Sequence, residues 1–323
     1  DQSVSRGLGD VYKRQVLLAS FCFCFQNVIV RILFNEQTIL GLFETGGFVI
    51  PNLQNSFLLM FMRMVLVVPL MASFATKLYP LTWQDIRELG NNQAYPILGR
   101  SLLGGVLMFL YLALLYVSIG LIATGIALTL FFGYPIFTSL FSWIFLGIPP
   151  TKFRWMIMVV VLVGTFLTIP YTQTTSDDYN GIGVIFGLAS GVAYALYTVN
   201  AQKSFETIHP VPFTWISFAT TLGLSSISLL IWQGDNADLN WTPMWVGGLL
   251  SAIVTLSGHL MFNYAIKFIG ATTAATIGAT SPSLTAILAW LTIQETINGW
   301  QIMGIFIVTM GILLLSQEHK RLS

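Results

Sequence analysis

Ten stretches of this 323-residue chain are apolar for long enough to cross roughly 30 Å of hydrocarbon, which takes about 20 helical residues each. They fall at roughly 15–34, 56–76, 97–117, 121–146, 153–170, 181–202, 212–232, 244–268, 271–293 and 298–316. Strict two-residue alternation is absent from them, and Leu, Ile, Val, Phe, Gly and Ala fill the runs, so they read as helices and not as barrel strands. Short joints separate them, punctuated by Ile148-Pro149-Pro150, Thr175-Ser176-Asp177-Asp178 and Gln233-Gly234-Asp235-Asn236. Only 8% of the residues are charged, against about 25% in an ordinary soluble domain, and 55% are apolar. A soluble fold could not cover its surface with so few charges, which excludes a secreted module, a nucleic-acid binder and a typical cytosolic enzyme. The net charge of +1 points to no polyanionic partner. The expected fold class is an all-α integral membrane protein of ten transmembrane helices. Cys22 and Cys24 sit two residues apart in one apolar run and read as free core or lipid-facing thiols.

Charge placement orients the chain. With the N-terminus inside, 12 of the 14 Lys and Arg face the cytoplasm, and the other two, Arg31 and Arg63, fall within spans. The outer loops hold no Lys or Arg but carry Glu36, Glu44, Asp177, Asp178, Asp235, Asp238 and Glu295. This is the positive-inside asymmetry, and it places both termini in the cytoplasm. Residues 1–14 read as a polar tail without a packing pattern, similar to translated adapter sequence, and Val16 to Phe25 as part of helix 1 with no signal-peptide cleavage site after it.

The chain also repeats itself. A shift of 147 residues superimposes Pro135 on Pro282, Thr138 on Thr285, Trp143 on Trp290, Met156 on Met303, Val161 on Val308 and Gly164 on Gly311. A second shift, of 152, matches Ala113 with Ala265 and Thr124 with Thr276, implying a fourth helix five residues longer in the first half. The halves, 15–170 and 181–316, hold five helices each. Since five is odd, the second half enters the membrane from the opposite side, giving two inverted five-helix repeats. Pro135 and Pro282 would each remove a backbone hydrogen bond in mid-helix. They read either as paired bends lining one cavity or as static kinks.

The chain resembles the EamA-like branch of the drug/metabolite transporter superfamily over nearly everything after residue 15. The resemblance rests on the ten spans and on Phe61-Met62-Arg63, Ala265 to Thr276 leading into Ser281-Pro282-Ser283-Leu284, Gln294-Glu295-Thr296, and Gly304 to Gly311. The first repeat has the corresponding Leu112 to Tyr116 and Tyr134-Pro135-Ile136-Phe137. The family usually has an acidic residue after helix 4, where this chain has Gly147-Ile148. The resemblance implies a transporter in the bacterial plasma (inner) membrane and cavity lining by the polar and basic pair of helix 1.

Polar groups inside hydrocarbon are costly and are functional candidates by default. Asn27 and Arg31 share a face of helix 1, though Arg31 also suits an interfacial snorkel. Arg63 suits either an anionic substrate group or the capping of loop carbonyls. His259, Asn263 and Lys267 follow at i, i+4 and i+8 on helix 8, a polar stripe that reads as a substrate site at His259 and Asn263 or as interhelical hydrogen bonding, with Lys267 an end anchor. Gly183, Gly187 and Gly191 make a small-residue ridge on helix 6, whose other half presents Tyr194, Tyr197 and Asn200. Tyr197 and Asn200 suit an amphipathic solute or the interfacial belt.

The substrate-binding set expected is therefore Asn27, Arg31, Tyr197, Asn200, His259 and Asn263. No catalytic residue, metal or cofactor is expected: Gly7-Leu8-Gly9-Asp10 and Ser257-Gly258-His259 lack the surrounding protease motifs, and no His-Glu-x-x-His pattern occurs. With no Asp or Glu in a predicted span core, facilitated diffusion or exchange is expected ahead of tight proton coupling. The sequence reading is a secondary transporter that exports a small organic metabolite or amino acid by alternating access. A sugar-phosphate or nucleotide-sugar exchanger, or a non-transporting membrane sensor, are its alternatives. Its partners would be a small-molecule substrate and the lipid bilayer, with no nucleic acid and homodimerisation left open.

Overall fold

The structure, a computed structural model, describes residues 2–34, 36–50, 53–91, 94–122, 124–168, 181–231, 239–293 and 297–321. Gln294-Glu295-Thr296 and the joints at 175–178 and 233–236 lie outside the described residues. Those residues form α1 (Gln2–Phe34), a hairpin of β1 (Glu36–Ile39) and β2 (Phe43–Gly46), α2 (Leu53–Leu78), α3 (Thr82–Glu88), α4 (Tyr95–Leu121), α5 (Thr124–Phe131), α6 (Tyr134–Leu146) and α7 (Lys152–Thr168). Then come α8 (Gly181–Ser204), α9 (Pro210–Ile231), α10 (Trp241–Ile269), α11 (Ala271–Gly278), α12 (Ser281–Ile293) and α13 (Gly299–Arg321).

Among the described residues eight helical segments are long and apolar enough to cross a membrane, so the protein is a multi-pass membrane protein. The sequence predicts ten. The difference is α7, which is 17 residues long, and α13, whose apolar part is Gly299–Gly311. Two spans, Ala127–Leu146 and Ala271–Ile293, are each broken in the middle, at Phe132-Gly133 and at Ala279-Thr280. Pro135 and Pro282 are buried as the second residues of α6 and α12, where a missing amide proton is tolerated because the first turn of a helix has no partner for it. The elements match in length as well as place. Offsetting by 147 carries α5 onto α11, α6 onto α12 and the start of α7 onto the start of α13. That single offset replaces the five-residue difference expected in the fourth helix.

Two other features depart from the sequence reading. The polar stretch 1–14 continues α1 as helix from Gln2, and it does pack: the Tyr12 ring stacks on Phe268 with centroids 4.1 Å apart. Between α1 and α2 the chain forms an antiparallel hairpin with Ile39 opposite Phe43 and Glu36 opposite Gly46. Its turn puts Leu40 and Gly41 at positive φ, of 51° and 71°. The hairpin ties down helix ends: Leu40 N donates to Thr292 O at 2.7 Å, and Gly47 N and Val49 N donate to Ile32 O and Leu33 O, each at 3.1 Å. At the opposite end of the bundle stand Lys77, Lys203 and Lys267, in the last turns of α2, α8 and α10, with Lys152 at the start of α7. We call these the hairpin end and the basic end.

The first helix of each half crosses to the other half. α1 packs mainly on α10 and then on α12, while α8 packs mainly on α4 and then on α6 and α5. Small residues make these crossings close. A methyl group on Gly183 would lie 2.6 Å from Ile122, on Gly187 2.9 Å from Leu130 and Ser118, and on Gly191 2.9 Å from the Phe131 carbonyl oxygen. Gly258 of α10 is likewise filled by Phe23 of α1, 2.7 Å from where its Cβ would be. The helices α7 and α13 meet backbone to backbone, a Cβ on Gly304 falling 2.6 Å from the Gly164 carbonyl oxygen.

Backbone cannot yield as a side chain can, so Gly304→Leu should destabilise by about 1–3 kcal/mol or more. Gly223→Ala, where a Cβ meets nothing within 4 Å, should be neutral. Thermal unfolding of the two variants in one detergent tests the difference.

Candidate functional site

The stripe read from α10 is buried where it matters. His259 is 7% exposed and Asn263 fully buried, while Lys267 is exposed at the basic end. Asn263 gathers three helices. Tyr197 Oη of α8 donates to its Oδ1 at 3.2 Å and lies 3.1 Å from its Nδ2, which donates to Thr214 Oγ1 of α9 at 2.8 Å. One turn away, His259 Nδ1 is 3.0 Å from Thr255 O, and Nε2 is 3.5 Å from Tyr111 Oη of α4. Rings close around this pair. Phe23 and Phe218 meet His259 edge-on at 4.9 and 5.5 Å, and Tyr194 meets Tyr111 edge-on at 4.9 Å. Tyr194 also contacts Tyr134 at 4.6 Å, at the start of α6. A phenol-rich wall of this kind offers apolar faces with a few fixed hydroxyls, which suits a small amphipathic solute.

Of the six residues expected to bind substrate, the structure brings together Tyr197, His259 and Asn263. Asn27 is exposed on α1, with its Nδ2 3.4 Å from Thr285 Oγ1 of α12, and Arg31 is partly exposed one turn further on. Asn200 donates from Nδ2 to the Arg100 carbonyl at 2.9 Å, pinning α8 to α4 near the basic end. Tyr111, Tyr194 and Thr214 join the cluster without having been singled out together. Their hydroxyls sit on three helices, and no spacing along the sequence announces that these helices converge.

A narrow cleft of about 20 Å³, room for little more than one water, lies toward the hairpin end. Val30, Leu33 and Phe34 of α1, Ser56, Leu59 and Arg63 of α2, Tyr116 of α4 and Gly247, Gly248 and Ser251 of α10 line it. Arg63 is 3% exposed, and its Nε has no hydrogen-bond partner.

The basic end is closed differently. His209, between α8 and α9, stacks on Tyr79 with centroids 3.9 Å apart, and its Nδ1 accepts from Val211 N at 3.3 Å. Asp85, Glu88, Glu206 and Lys267 share this polar recess. Burial first, and then the Lys267 ammonium, push His209 down to about 4.

The second half, residues 181–317, matches the model of the EamA-like transporter family. An uncharacterized transporter of Synechocystis sp. is 52% identical over 303 residues, covering 94% of this chain and 92% of that protein. The threonine/homoserine exporter RhtA of Salmonella typhimurium is 24% identical over 239 residues, covering 73% of this chain and 76% of its own length. A crystal structure superposes with a TM-score of 0.70 at 13% identity, covering 97% of this chain and 99% of that one, a likeness of fold alone.

A histidine held neutral by its surroundings ties stability to pH. The unfolded chain takes up this proton near pH 6.5, the folded one only near 4, so His209's contribution is complete above about 6.5 and is lost as pH falls toward 4. His209→Phe keeps a ring on Tyr79 and should flatten this part of the profile. Melting temperatures of the two proteins between pH 7.5 and 4 should diverge in favour of the variant as pH falls.

Proposed function

This chain belongs to the EamA-like transporter family, and we propose that it is a secondary transporter exporting a small organic metabolite or amino acid, by alternating access of the Tyr111–His259 region between two inverted five-helix units. The observation that carries this reading is the reciprocity of contacts between the halves. Gly164 of α7 packs on Val308 of α13, and the 147-residue offset turns that contact into Gly311 on Val161, which is also present. Thr138 of α6 sits 3.3 Å from Thr198 of α8, and its counterpart Thr285 of α12 sits 3.4 Å from Asn27 of α1. Environment follows too: Pro135 and Pro282 are both buried, while Trp143 and Trp290 are 54% and 53% exposed. Such paired contacts are what a pseudo-two-fold axis generates.

The symmetry is broken in one respect, and alternating access supplies the reason. α11 packs against α6 and α8, whereas its counterpart α5 has no comparable packing on α12 or α1 among the described residues. The basic end is therefore the tighter one. With that end in the cytoplasm, by the positive-inside asymmetry, the closer packing of α11 on α6 and α8 makes the inward side the more tightly packed one. The Asn263–Tyr197–Thr214 network and the Tyr79–His209 stack hold the inward side shut.

Among the described residues no Asp or Glu is buried, which favours exchange or facilitated diffusion over obligatory proton coupling. One lining cation, Arg63, is too few for a sugar phosphate, which counts against that alternative. The similarity to a threonine/homoserine exporter makes threonine and homoserine the first solutes to try.

Purified protein in proteoliposomes loaded with unlabelled amino acid should accumulate labelled counterpart by exchange. Asn263→Ala should reduce exchange about ten-fold or more, as loss of a gate's hydrogen bonds changes the balance of states. Dissipating the pH gradient with an ionophore should leave exchange intact. Absence of exchange for every amino acid and small metabolite tested would overturn the carrier reading, and collapse with the gradient would overturn the coupling.

A further inference from the structure

Arg63 stands ten residues into α2, about 15 Å from that helix's first residue, well within the span Gln54–Leu78. Its flanks on the helix, Met62 and Met64, are 1% exposed, and the side chain itself is 3% exposed. Burying a cation is expensive unless it is paired, and most buried arginines answer a carboxylate. Among the described residues Arg63 has none within salt-bridge reach, and its Nε lacks any hydrogen-bond partner. The guanidinium lies in the wall of the cleft formed by α1, α2, α4 and α10, within electrostatic range of Tyr111 and His259. Ser56, Ser251 and Tyr116 line the same space.

Resting on the carrier reading above, we propose that Arg63 is the anion-binding element of the transport site, and that the carried solute presents a carboxylate to it from this cleft. A guanidinium's planar fork matches a carboxylate in two parallel hydrogen bonds, and the bound pair would be neutral, removing the cost of the buried charge. One positive group balances one negative charge. No second Lys or Arg lines the cleft, so a monocarboxylate fits and a dianionic phosphate does not. The rest of the solute then extends toward the Tyr111–Tyr194 wall. The site spans both halves, since α1, α2 and α4 belong to the first and Gly247, Gly248 and Ser251 to the second. A solute bound there touches both moving units at once. Arg63 is thus a residue of specificity in a position where a structural anchor would have needed its own carboxylate or carbonyl.

Thermal-shift measurements on the purified full chain test this with the proteinogenic amino acids, each beside its carboxamide, and with inorganic phosphate. Wild-type protein should be stabilised by at least one acid, while the matching amide and phosphate give no shift. In Arg63→Gln the acid's apparent affinity should fall about ten-fold or more, and Arg63→Lys should keep part of it. Without ligand, Arg63→Met should melt higher than wild type, since it removes an unpaired buried charge. A structural anchor would give the reverse, a lower melting temperature with acid binding lost only through unfolding. Equal binding of acid and amide, undiminished binding in Arg63→Gln, or stabilisation by phosphate in place of the acids would each overturn the assignment. Those results leave the carrier reading standing as long as the liposomes exchange some solute; liposomes inert to every solute would remove both.

Discussion

A helix that stops in the middle of a bilayer leaves carbonyls and amides with no water to answer them, and this fold contains two such stops. The way they are satisfied determines much of the rest. At the break between α11 and α12, Tyr134 Oη of α6 donates to Ala275 O at 3.1 Å, and Thr165 of α7 donates to Ala279 O at 2.9 Å. Cys24 Sγ of α1 approaches Ser281 O at 3.2 Å. Pro282 frees the Gly278 carbonyl, which takes the Ser281 hydroxyl at 2.8 Å. At the other break, Pro135 frees the Phe131 carbonyl, and Gly191 lets the α8 backbone come close enough to cover it. The partners come from both halves of the chain. The breaks therefore act as joints that hold the halves in register, at the depth where the tyrosines and His259 collect.

This explains why the halves exchange their first helices. Without the ridge of Gly183, Gly187 and Gly191, α8 could not lie against α4 and α5, and the Phe131 carbonyl would face lipid. On the other side Gly258 accepts Phe23 of α1 into α10. Aligning α4 with α10 at their ends, Leu121 with Ile269, pairs Tyr111 with His259. The T-shaped contact of Tyr194 on Tyr111 then has its counterpart in Phe23 on His259, both at 4.9 Å. Tyr111 and His259 face each other, Oη to Nε2, across 3.5 Å.

The legible parts of this architecture were those set by one-dimensional rules. The positions of the eight long apolar spans among the described residues follow from hydropathy, and the α10 stripe from four-residue spacing, which brought out His259 and Asn263. The 147-residue match of Pro, Thr and Trp positions picked out half-helices that agree to the residue in the structure. What the sequence hid has physical causes. Strands of four residues flanked by exposed Leu40 and Leu42 carry too little alternation to read. Asn200 sits on the same helix as Tyr197 but three residues on, so it points to a neighbouring helix and serves the Arg100 carbonyl. Gly147, where the family usually is acidic, occupies a left-handed cap at φ +68°, a conformation that explains the glycine but has no signature in hydropathy. Tyr111 and Thr214 belong to the site only because α4 and α9 cross α8, and crossings between distant helices are invisible to periodicity.

Arg63 shows how a carrier can use an interaction that a stable protein would avoid. Several buried polar groups at the centre are answered from within, Asn263 by Tyr197 and Thr214, Tyr134 by Ala275 and Thr165 by Ala279, whereas the hydroxyls of Ser217, Thr280 and Ser283, like Arg63 Nε, have no hydrogen-bond partner among the described residues. A network satisfied in this way is rigid, and a transporter made only of such networks would stay in one state. On the proposal above, Arg63, a buried cation whose Nε has no partner, works in the opposite direction, its energy changing when a carboxylate arrives. A ligand shifts a conformational equilibrium only through a difference in its affinity for the two states. On the proposal above, that difference arises at Arg63, in the wall of a cleft lined by α1, α2, α4 and α10.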